Sequence, residues 1–282
     1  MTVTRPQLYV MYDGQTEFNI RDKLPFAEFM GIDEATPSQA NTYNEVPTQD
    51  GSRFLSSTIQ KNTVNVRIHV HFTTYADLKN KQDALRAFFY RKGLFRLRTS
   101  AQPDVVWFVR NVTFPAQPIA DGANDIRVTI PMENPSGYRY SRYDSLSQAD
   151  LWDDYNFNSN FPIATADDFI FKNESNFDIM NPSAVSIDPF TQRHPFSMFL
   201  KWTGGSIEVV NETNGTNYSY SAGKDSNNLV ELRGCNTFNN GTAANQNTNF
   251  GYIKLETGWN HFKVMTSSSH FSVRFKFPFI YV

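Results

Sequence analysis

Residues 271–282 read FSVRFKFPFIYV, and this stretch is the strongest indication of the fold class. Apolar or aromatic side chains occupy every second position, namely Phe271, Val273, Phe275, Phe277, Phe279 and Tyr281. Because successive side chains of a strand point to opposite faces, the alternation predicts one strand with an aromatic ladder on one face. Such a ladder is more typical of a β-sandwich than of an α/β enzyme. Phe275 and Phe277 are therefore expected in the core of a C-terminal sandwich.

The composition agrees with a β protein and excludes some classes of partner. The chain has 282 residues, enough for about two domains of ~150 residues each. It contains 25 Phe, 13 Tyr and 4 Trp, and aromatic residues are enriched in strands. A net charge of −2 gives no long-range attraction to nucleic acid or to an anionic membrane. Neither a signal-peptide pattern nor an apolar run of ~18 residues is present, so a soluble protein without a membrane span is expected.

The first half of the chain reads as a β domain with one helix. Val64 to Phe72 alternate apolar and polar residues, which predicts a half-buried strand. Thr74 is a helix-capping residue, and Leu78, Leu85, Phe88 and Phe89 share one face of the helix that follows. Further strands are predicted at 8–11, 94–98, 105–109 and 125–132. The polar segment 31–51 contains two prolines and is predicted to be a long loop or arm.

The second half reads as all-β. Residues 134–145 are polar and turn-forming, which predicts two domains, 1–145 and 146–282. Short strands are predicted at 196–202, 206–210, 229–233, 252–256 and 260–265 and in the terminal ladder, with no helix after residue 150. Asn is very frequent between them and favours turns, so 211–228 and 236–249 are predicted to be long loops. Long polar loops on a rigid sandwich are places where binding residues tend to lie.

No residue pattern supports catalysis, a cofactor or a metal. His69 and His71 project from one face of a strand, but no third ligand stands at a recognisable spacing. The carboxylate pairs Asp153–Asp154 and Asp167–Asp168 are adjacent residues, whereas a glycosidase needs two carboxylates spaced across a cleft. Phosphate-loop, dinucleotide, zincin and nucleophile-elbow motifs are absent from the sequence. The prediction is a protein that is not an enzyme and has no catalytic, cofactor-binding or metal-binding residues.

Three single residues have two interpretations each. Cys235 is the only cysteine, which fits assembly in a reducing cytoplasm, and a small loop or core residue is favoured over a nucleophile. Trp202 and Trp259 lie at the ends of apolar runs. Core packing is favoured for both, while stacking on a sugar ring is the alternative.

Three stretches together resemble a known family. They are Asp50-Gly51-Ser52-Arg53-Phe54 with the strand, helix and LFRLR segment that follow, the stretch NTNFGYIKLETGWNHFKV at 247–264, and the terminal FSVRFKFPFIYV. The pattern is similar to that of the distal tail proteins (Dit) of long-tailed siphovirus phages that infect Gram-positive bacteria. In that family a D-G-x-x-[FL] element opens the core of the N-terminal domain, and the C-terminus ends in an alternating Phe-rich strand.

The resemblance implies a fold, a function and partners. The fold would be a β-sandwich-like N-terminal domain with one helix, followed by a galectin-like C-terminal β-sandwich. The N-terminal domain would form a homo-oligomeric ring, expected to be a hexamer, in a virion assembled in the host cytoplasm. The chain would be a structural hub joining the tail tube protein to the tail-tip protein or tail-associated lysin, and it would carry receptor-binding or baseplate proteins.

Other classes of protein stay open on the sequence. The main alternative is a carbohydrate-binding adhesion module on the phage tail, with a cell-wall glycan as ligand. A tail-associated hydrolase has little support, because no catalytic spacing is present. Self-association would distinguish the first two, since a discrete ring favours the hub and a glycan-binding monomer favours the adhesion module.

Overall fold

The computed structural model describes residues 5–34, 37–48, 50–118, 120, 122–147, 166–223 and 228–282. The chain divides into two compact units, Met1–Arg139 with Val282, and Tyr140–Tyr281. The predicted division into 1–145 and 146–282, with a role for each part, stays a prediction. No helix among the described residues is long and apolar enough to cross a membrane.

The first unit is an antiparallel sheet with two helices. Its strands are β1 Leu8–Met11, β2 Phe18–Asn19, β3 Ala27–Glu34, β4 Gln39–Asn44, β5 Arg53–Ile59, β6 Asn62–His71, β7 Phe95–Thr99, β8 Val105–Asn111 and β9 Asp125–Asn134, and its helices are α1 Ile20–Lys23 and α2 Tyr75–Phe89. The main sheet has the order β2-β1-β7-β8-β9-β6-β3, and β4 pairs with β5 in a separate hairpin. The short helix α1 was not predicted, because four residues are too few to show a helical period.

Strand β6 and helix α2 form the centre of this unit, as predicted. Burial alternates along β6, and Val64, Val66, Ile68 and Val70 are fully buried. Helix α2 starts at the predicted cap, where the Thr74 side chain accepts a hydrogen bond from the Asp77 amide. The four apolar residues predicted on one helix face are buried in the same cluster as β6. The apolar face of the helix and the apolar face of the strand are therefore buried in one common core.

The second unit is a two-layer sandwich. Its strands are β10 Arg139–Asp144, β11 Ile170–Lys172, β12 Asn176–Asn181, β13 Ser197–Trp202, β14 Ile207–Asn211, β15 Asn217–Tyr220, β16 Val230–Arg233, β17 Asn236–Asn239, β18 Thr242–Ala243, β19 Gly258–Thr266, β20 Phe271–Lys276 and β21 Pro278–Tyr281. One layer has the order β11-β20-β13-β16-β17-β18 and the other β12-β19-β14-β15, while β10 pairs with β21. The predicted mainly β fold class is confirmed.

Aromatic rings from both layers fill the space between the sheets. Phe171 of β11 stacks on Phe177 of β12, with ring centroids 3.8 Å apart. Phe177 stacks in turn on Phe262 of β19, and Phe262 lies 5.0 Å from Phe275 of β20. Phe275 and Phe277 are buried, as predicted. Because aromatic pairs contribute more than their buried area alone, this column of rings joins the two layers.

The terminal ladder is two strands rather than the one predicted. The chain leaves β20 at Lys276 and resumes as β21 at Pro278, which has no amide hydrogen for a central strand. Buried serines bond the backbone around the break. The Ser145 hydroxyl donates to the Phe275 carbonyl (2.7 Å) and accepts from the Phe277 amide (3.1 Å), and the Ser141 and Ser183 hydroxyls accept from the Phe279 and Ile280 amides.

Several segments differ from the prediction in their local structure. The predicted loop 31–51 contains the end of β3 and all of β4, and the predicted turn region 134–145 contains β10. Conversely, 252–256 forms only an isolated bridge, Ile187 with Leu255, instead of a strand. In each case tertiary pairing decided the outcome, because strand propensity is weak without a partner strand.

Candidate interaction surfaces

The β4–β5 hairpin is an exposed arm with aromatic side chains. Every residue of β4 is exposed, as are those of β5 apart from the partly buried Ile59, and the two strands pair only with each other among the described strands. Tyr43 and Phe54 face each other with centroids 5.9 Å apart, yet 51% and 56% of these residues remain exposed, as does 55% of Leu55. An isolated hairpin is marginally stable in water, and grouped exposed apolar side chains mark interaction sites. This arm is therefore the first candidate surface.

The position of Phe54 corrects one expectation taken from the resemblance. The D-G-x-x-[FL] element of that family was expected to open the core of the N-terminal domain. In this chain Asp50-Gly51-Ser52-Arg53-Phe54 leads into β5, and Phe54 lies outside the buried cluster of the first unit. The sequence could not show this, because β5 has no alternating pattern that would assign Phe54 to a buried or an exposed face.

The histidine pair of β6 lies in a network of carboxylates. Asp125 Oδ1 is 3.1 Å from His69 Nε2 and 2.9 Å from His71 Nδ1, and Glu28 Oε2 is 3.4 Å from His69 Nδ1. The hydrogen bond from His71 holds the pKa of Asp125 below its usual value. Glu28 also pairs with Arg5 (2.8 Å). Across the described part of the chain, no group of three potential ligands has a geometry that could hold a metal ion.

The other titratable candidates show no catalytic arrangement. Cys235 is exposed, and partial burial of its thiol raises its pKa, so the neutral thiol predominates at pH 7. Asp167 and Asp168 lie in a short 3-10 turn, Ala166–Phe169, at the rim of a cleft in the second unit. Asp153 and Asp154 lie outside the described residues.

The two tryptophans have opposite environments. Trp202 is buried, as predicted, and its indole donates to the Gly205 carbonyl (2.7 Å). Trp259 is 50% exposed, so the prediction of core packing is wrong for this residue. Side chains of β19 are alternately buried and exposed, and Asn260 and Phe262 are buried. Trp259, the residue before Asn260, therefore lies on the exposed face. Trp259 and the carboxylates near it form the second candidate surface.

The Asn-rich segments are more ordered than predicted. Residues 211–228 contain β15, and 236–249 contain all of β17 and β18. Many of their side-chain amides bond backbone groups: Asn211 Nδ2 donates to the Lys254 carbonyl, and Asn249 Oδ1 accepts from the Ser219 and Gly251 amides. Asn211 and Asn260 are fully buried and bond each other at 3.0 Å. These side chains stabilise turns, which leaves fewer of them for a ligand.

Comparison with known proteins agrees with this architecture. Residues 13–133 match the family model described as the phage tail protein RIFT-related domain. The crystal structure of the Dit (gp 19.1) protein of phage SPP1, described as a paradigm of the hub adsorption apparatus in phages that infect Gram-positive bacteria, aligns with a TM-score of 0.68 at 12% identity. The alignment covers 96% of this chain and 99% of that one, which shows a shared fold.

Two further comparisons give no additional support for the fold or the family. The phage P2 baseplate in its activated conformation with Ca aligns at a TM-score of 0.47 and 9% identity, over 97% of this chain and 98% of that one, a likeness too low to define a fold. No curated protein matches the chain significantly by sequence.

These findings define a class of protein. Residues 13–133 of the first unit match a phage tail protein domain, and the whole chain shares the fold of the SPP1 distal tail protein. The predicted resemblance to the distal tail protein family is confirmed at these two levels. The match of residues 13–133 to a phage tail protein domain supports the predicted class, a structural component of a phage tail.

Proposed function

We propose that the protein is the distal tail hub of a phage virion, a ring of identical subunits that joins the tail tube to the tail tip. The observation that carries the proposal is the exposed aromatic hairpin β4–β5 on a phage tail domain. Surface of this kind is costly in water and is stabilised when a second chain covers it. A neighbouring subunit is the natural partner, because a head-to-tail contact closes into a ring when the rotation permits.

The ring is expected to be a hexamer, formed mainly by the first unit. Its axial partners would be the tail tube protein on one side and the tail-tip protein or tail-associated lysin on the other. The second unit would carry receptor-binding or baseplate proteins on its outward surfaces. This division of roles between residues 1–145 and 146–282 agrees with the exposed arm in the first unit and the exposed Trp259 in the second.

The proposed role involves no catalysis. A catalytic site needs a positioned acid, base or nucleophile, or a metal ion. Among the described candidates, the His69–Asp125–His71 network lies on a surface strand, and the Cys235 thiol is neutral. Loss of cell-wall hydrolysis on mutating one carboxylate of the purified protein would contradict this part of the proposal.

Light scattering coupled to size-exclusion chromatography tests the ring with the full-length protein. The unchanged protein should elute as a discrete oligomer. Phe54→Asp places a charge on the arm and should shift the protein toward monomer. Tyr75→Asp is the matched control, because Tyr75 is also an exposed aromatic residue of the first unit but lies at the start of α2, where an acidic residue is favourable. An undiminished ring in Phe54→Asp, or a monomeric unchanged protein, would contradict the role of the arm.

A carbohydrate-binding adhesion module remains the second candidate function. The observation that favours it is the exposed indole of Trp259, since an exposed Trp on a sandwich can stack on a sugar ring. A monomer that binds cell-wall glycan and loses this binding in Trp259→Ala would support the module over the hub.

A further inference from the structure

A cleft of about 230 Å³ opens on the outer side of the second unit, beside β12 and β19. Residues of β11 form part of its wall. The other lining side chains are an indole, a thioether and four carboxylates, namely Trp259, Met180, Asp167, Asp168, Glu174 and Asp178. Met180 and Trp259 are register partners on adjacent strands, so they lie side by side in the wall. The buried ring of Phe171 also borders the cleft.

The cleft is built on rigid elements. Phe171 stacks on Phe177 at 3.8 Å, which fixes β11 against β12 behind the cleft. Asn260, the residue after Trp259, is fully buried and bonds the amide and the carbonyl of Glu256, both at 2.8 Å. The backbone at Trp259 is thereby fixed with the indole directed outward. A site on packed strands is better preorganised than a site on a loop.

The charges around the cleft have one sign. Four of the described lining residues are carboxylates, and none of the described lining residues is a lysine or an arginine. Asp178 also contacts His261, with 2.5 Å between Oδ1 and Nδ1. Such a cleft repels phosphate and carboxylate ligands and attracts cations.

Taken together, these features select a chemical class of ligand. The face of an indole is the best aromatic partner for a cation, and carboxylates around it accept charge-assisted hydrogen bonds from ammonium or guanidinium groups. A volume of about 230 Å³ is below the ~300–1,000 Å³ of drug-sized ligand pockets, so it suits one side chain better than an extended ligand. We propose that this cleft binds a basic side chain, arginine or lysine, presented by a partner protein of the tail. The proposal rests on the docking role proposed above for the second unit.

A saturation-transfer NMR titration of the full-length protein at pH 8 and low salt tests the proposal. The probes are the peptide acetyl-Gly-Arg-Gly-amide and its neutral counterpart with citrulline in place of arginine. The arginine peptide should bind more tightly than the citrulline peptide, and added salt should weaken it. Trp259→Ala should weaken the arginine peptide about twofold to fivefold, the size of an exposed cation–π contact, while Trp259→Phe should retain part of the affinity. Glu174→Gln with Asp178→Asn should reduce the preference for the arginine peptide over the citrulline peptide, because two of the four lining carboxylates are neutralised.

The control variant is Phe250→Ala, which removes an exposed aromatic residue of the second unit outside the cleft and should change nothing. Light scattering on each variant measures the ring separately, so failure of the hub proposal is distinguishable from failure of this one. Equal binding of both peptides to the unchanged protein, or full affinity in Trp259→Ala, would overturn the proposal. Trp259-dependent binding of free galactose or N-acetylglucosamine without binding of the arginine peptide would overturn it in favour of a saccharide site.

Discussion

The β4–β5 hairpin and the β20–β21 ladder both place aromatic residues on strands, but with opposite outcomes. In the ladder, Phe275, Phe277 and Phe279 are almost completely buried by residues of the same chain. In the hairpin, Tyr43 and Phe54 contact each other and remain half exposed. The same residue type therefore stabilises the fold in one region and stays exposed, available for a partner, in the other. Variants of the two regions should therefore affect different measurements.

Phe277→Ala should have the largest effect on folding. The ring of Phe277 packs edge-on against Phe169 (5.4 Å) and Phe279 (5.9 Å), and its removal leaves a cavity that the sandwich cannot fill. The expected loss is roughly 3–5 kcal/mol in the free energy of unfolding of the second unit. Urea denaturation measures it, with Phe250→Ala, an exposed Phe of the same unit, as the control. A similar effect of the two variants would remove the distinction drawn for the ladder.

Ser145→Ala should have an intermediate effect on the same unit. The variant removes the hydroxyl that bonds both Phe275 and Phe277 at the break between β20 and β21. Leaving a buried amide without its acceptor costs about 1–3 kcal/mol. Differential scanning calorimetry should show the loss, whereas Thr257→Ala at an exposed position should leave the transition in place. An unchanged transition in Ser145→Ala would mean that the backbone at the break finds other partners.

Phe54→Ala should separate assembly from folding. The residue is exposed in the isolated subunit, so the unfolding free energy should change by about 0.5 kcal/mol or less. The concentration at which the oligomer dissociates should rise, because a covered aromatic residue is lost from the contact between subunits. Sedimentation velocity over a dilution series measures this, with Tyr75→Ala as the matched control. A large loss of stability with unchanged assembly would place Phe54 with the ladder residues instead.

Asp125→Asn should have the smallest effect, and its direction follows from the lowered pKa. The hydrogen bond from His71 holds the pKa of Asp125 below its ordinary value of ~3.9, so the interaction stabilises the fold above that pH. The stabilisation is lost as the pH falls through the lowered folded-state pKa. The variant should therefore lose less stability than the unchanged protein on acidification from pH 6 to pH 2. A steeper loss of stability on acidification in the variant would show that the Asp125 carboxylate does not stabilise the fold.

Prediction from the sequence succeeded for elements whose regular spacing of apolar residues gives a single apolar face that is buried in the core. Strand β6 and helix α2 were recognised because each presents a single apolar face, and both faces are buried in the same cluster. It failed for β4, β5 and β10, whose polar residues carry no periodic signal. It also failed for 252–256, where the alternation is present but only Ile187 pairs with Leu255. A strand forms only when a second strand supplies hydrogen bonds, and the local sequence does not show which segment that second strand is.

The candidate surfaces were less predictable than the fold. Asp125 was not linked to His69 and His71, because 54 residues separate His71 from Asp125 and only the pairing of β6 with β9 brings them together. Trp259 was assigned to the core because it opens an apolar run. The alternation Asn260, Phe262 and Val264 inward was the signal that could have placed Trp259 outward. The amide side chain of Asn260 obscured that signal, since it is buried only through its hydrogen bonds.

Local sequence was enough to predict the fold class, the helix with its Thr74 cap, the main strands of the first unit and the burial of the terminal Phe ladder. These depend on local period and residue type, which act over a few neighbouring positions. Contacts between distant parts of the chain were needed to show which aromatic faces are buried and which are exposed, where the ladder breaks, and which carboxylates lie beside Trp259. Those outcomes depend on pairing between residues distant in the chain, and the free energy of burying a side chain is set by what lies opposite it.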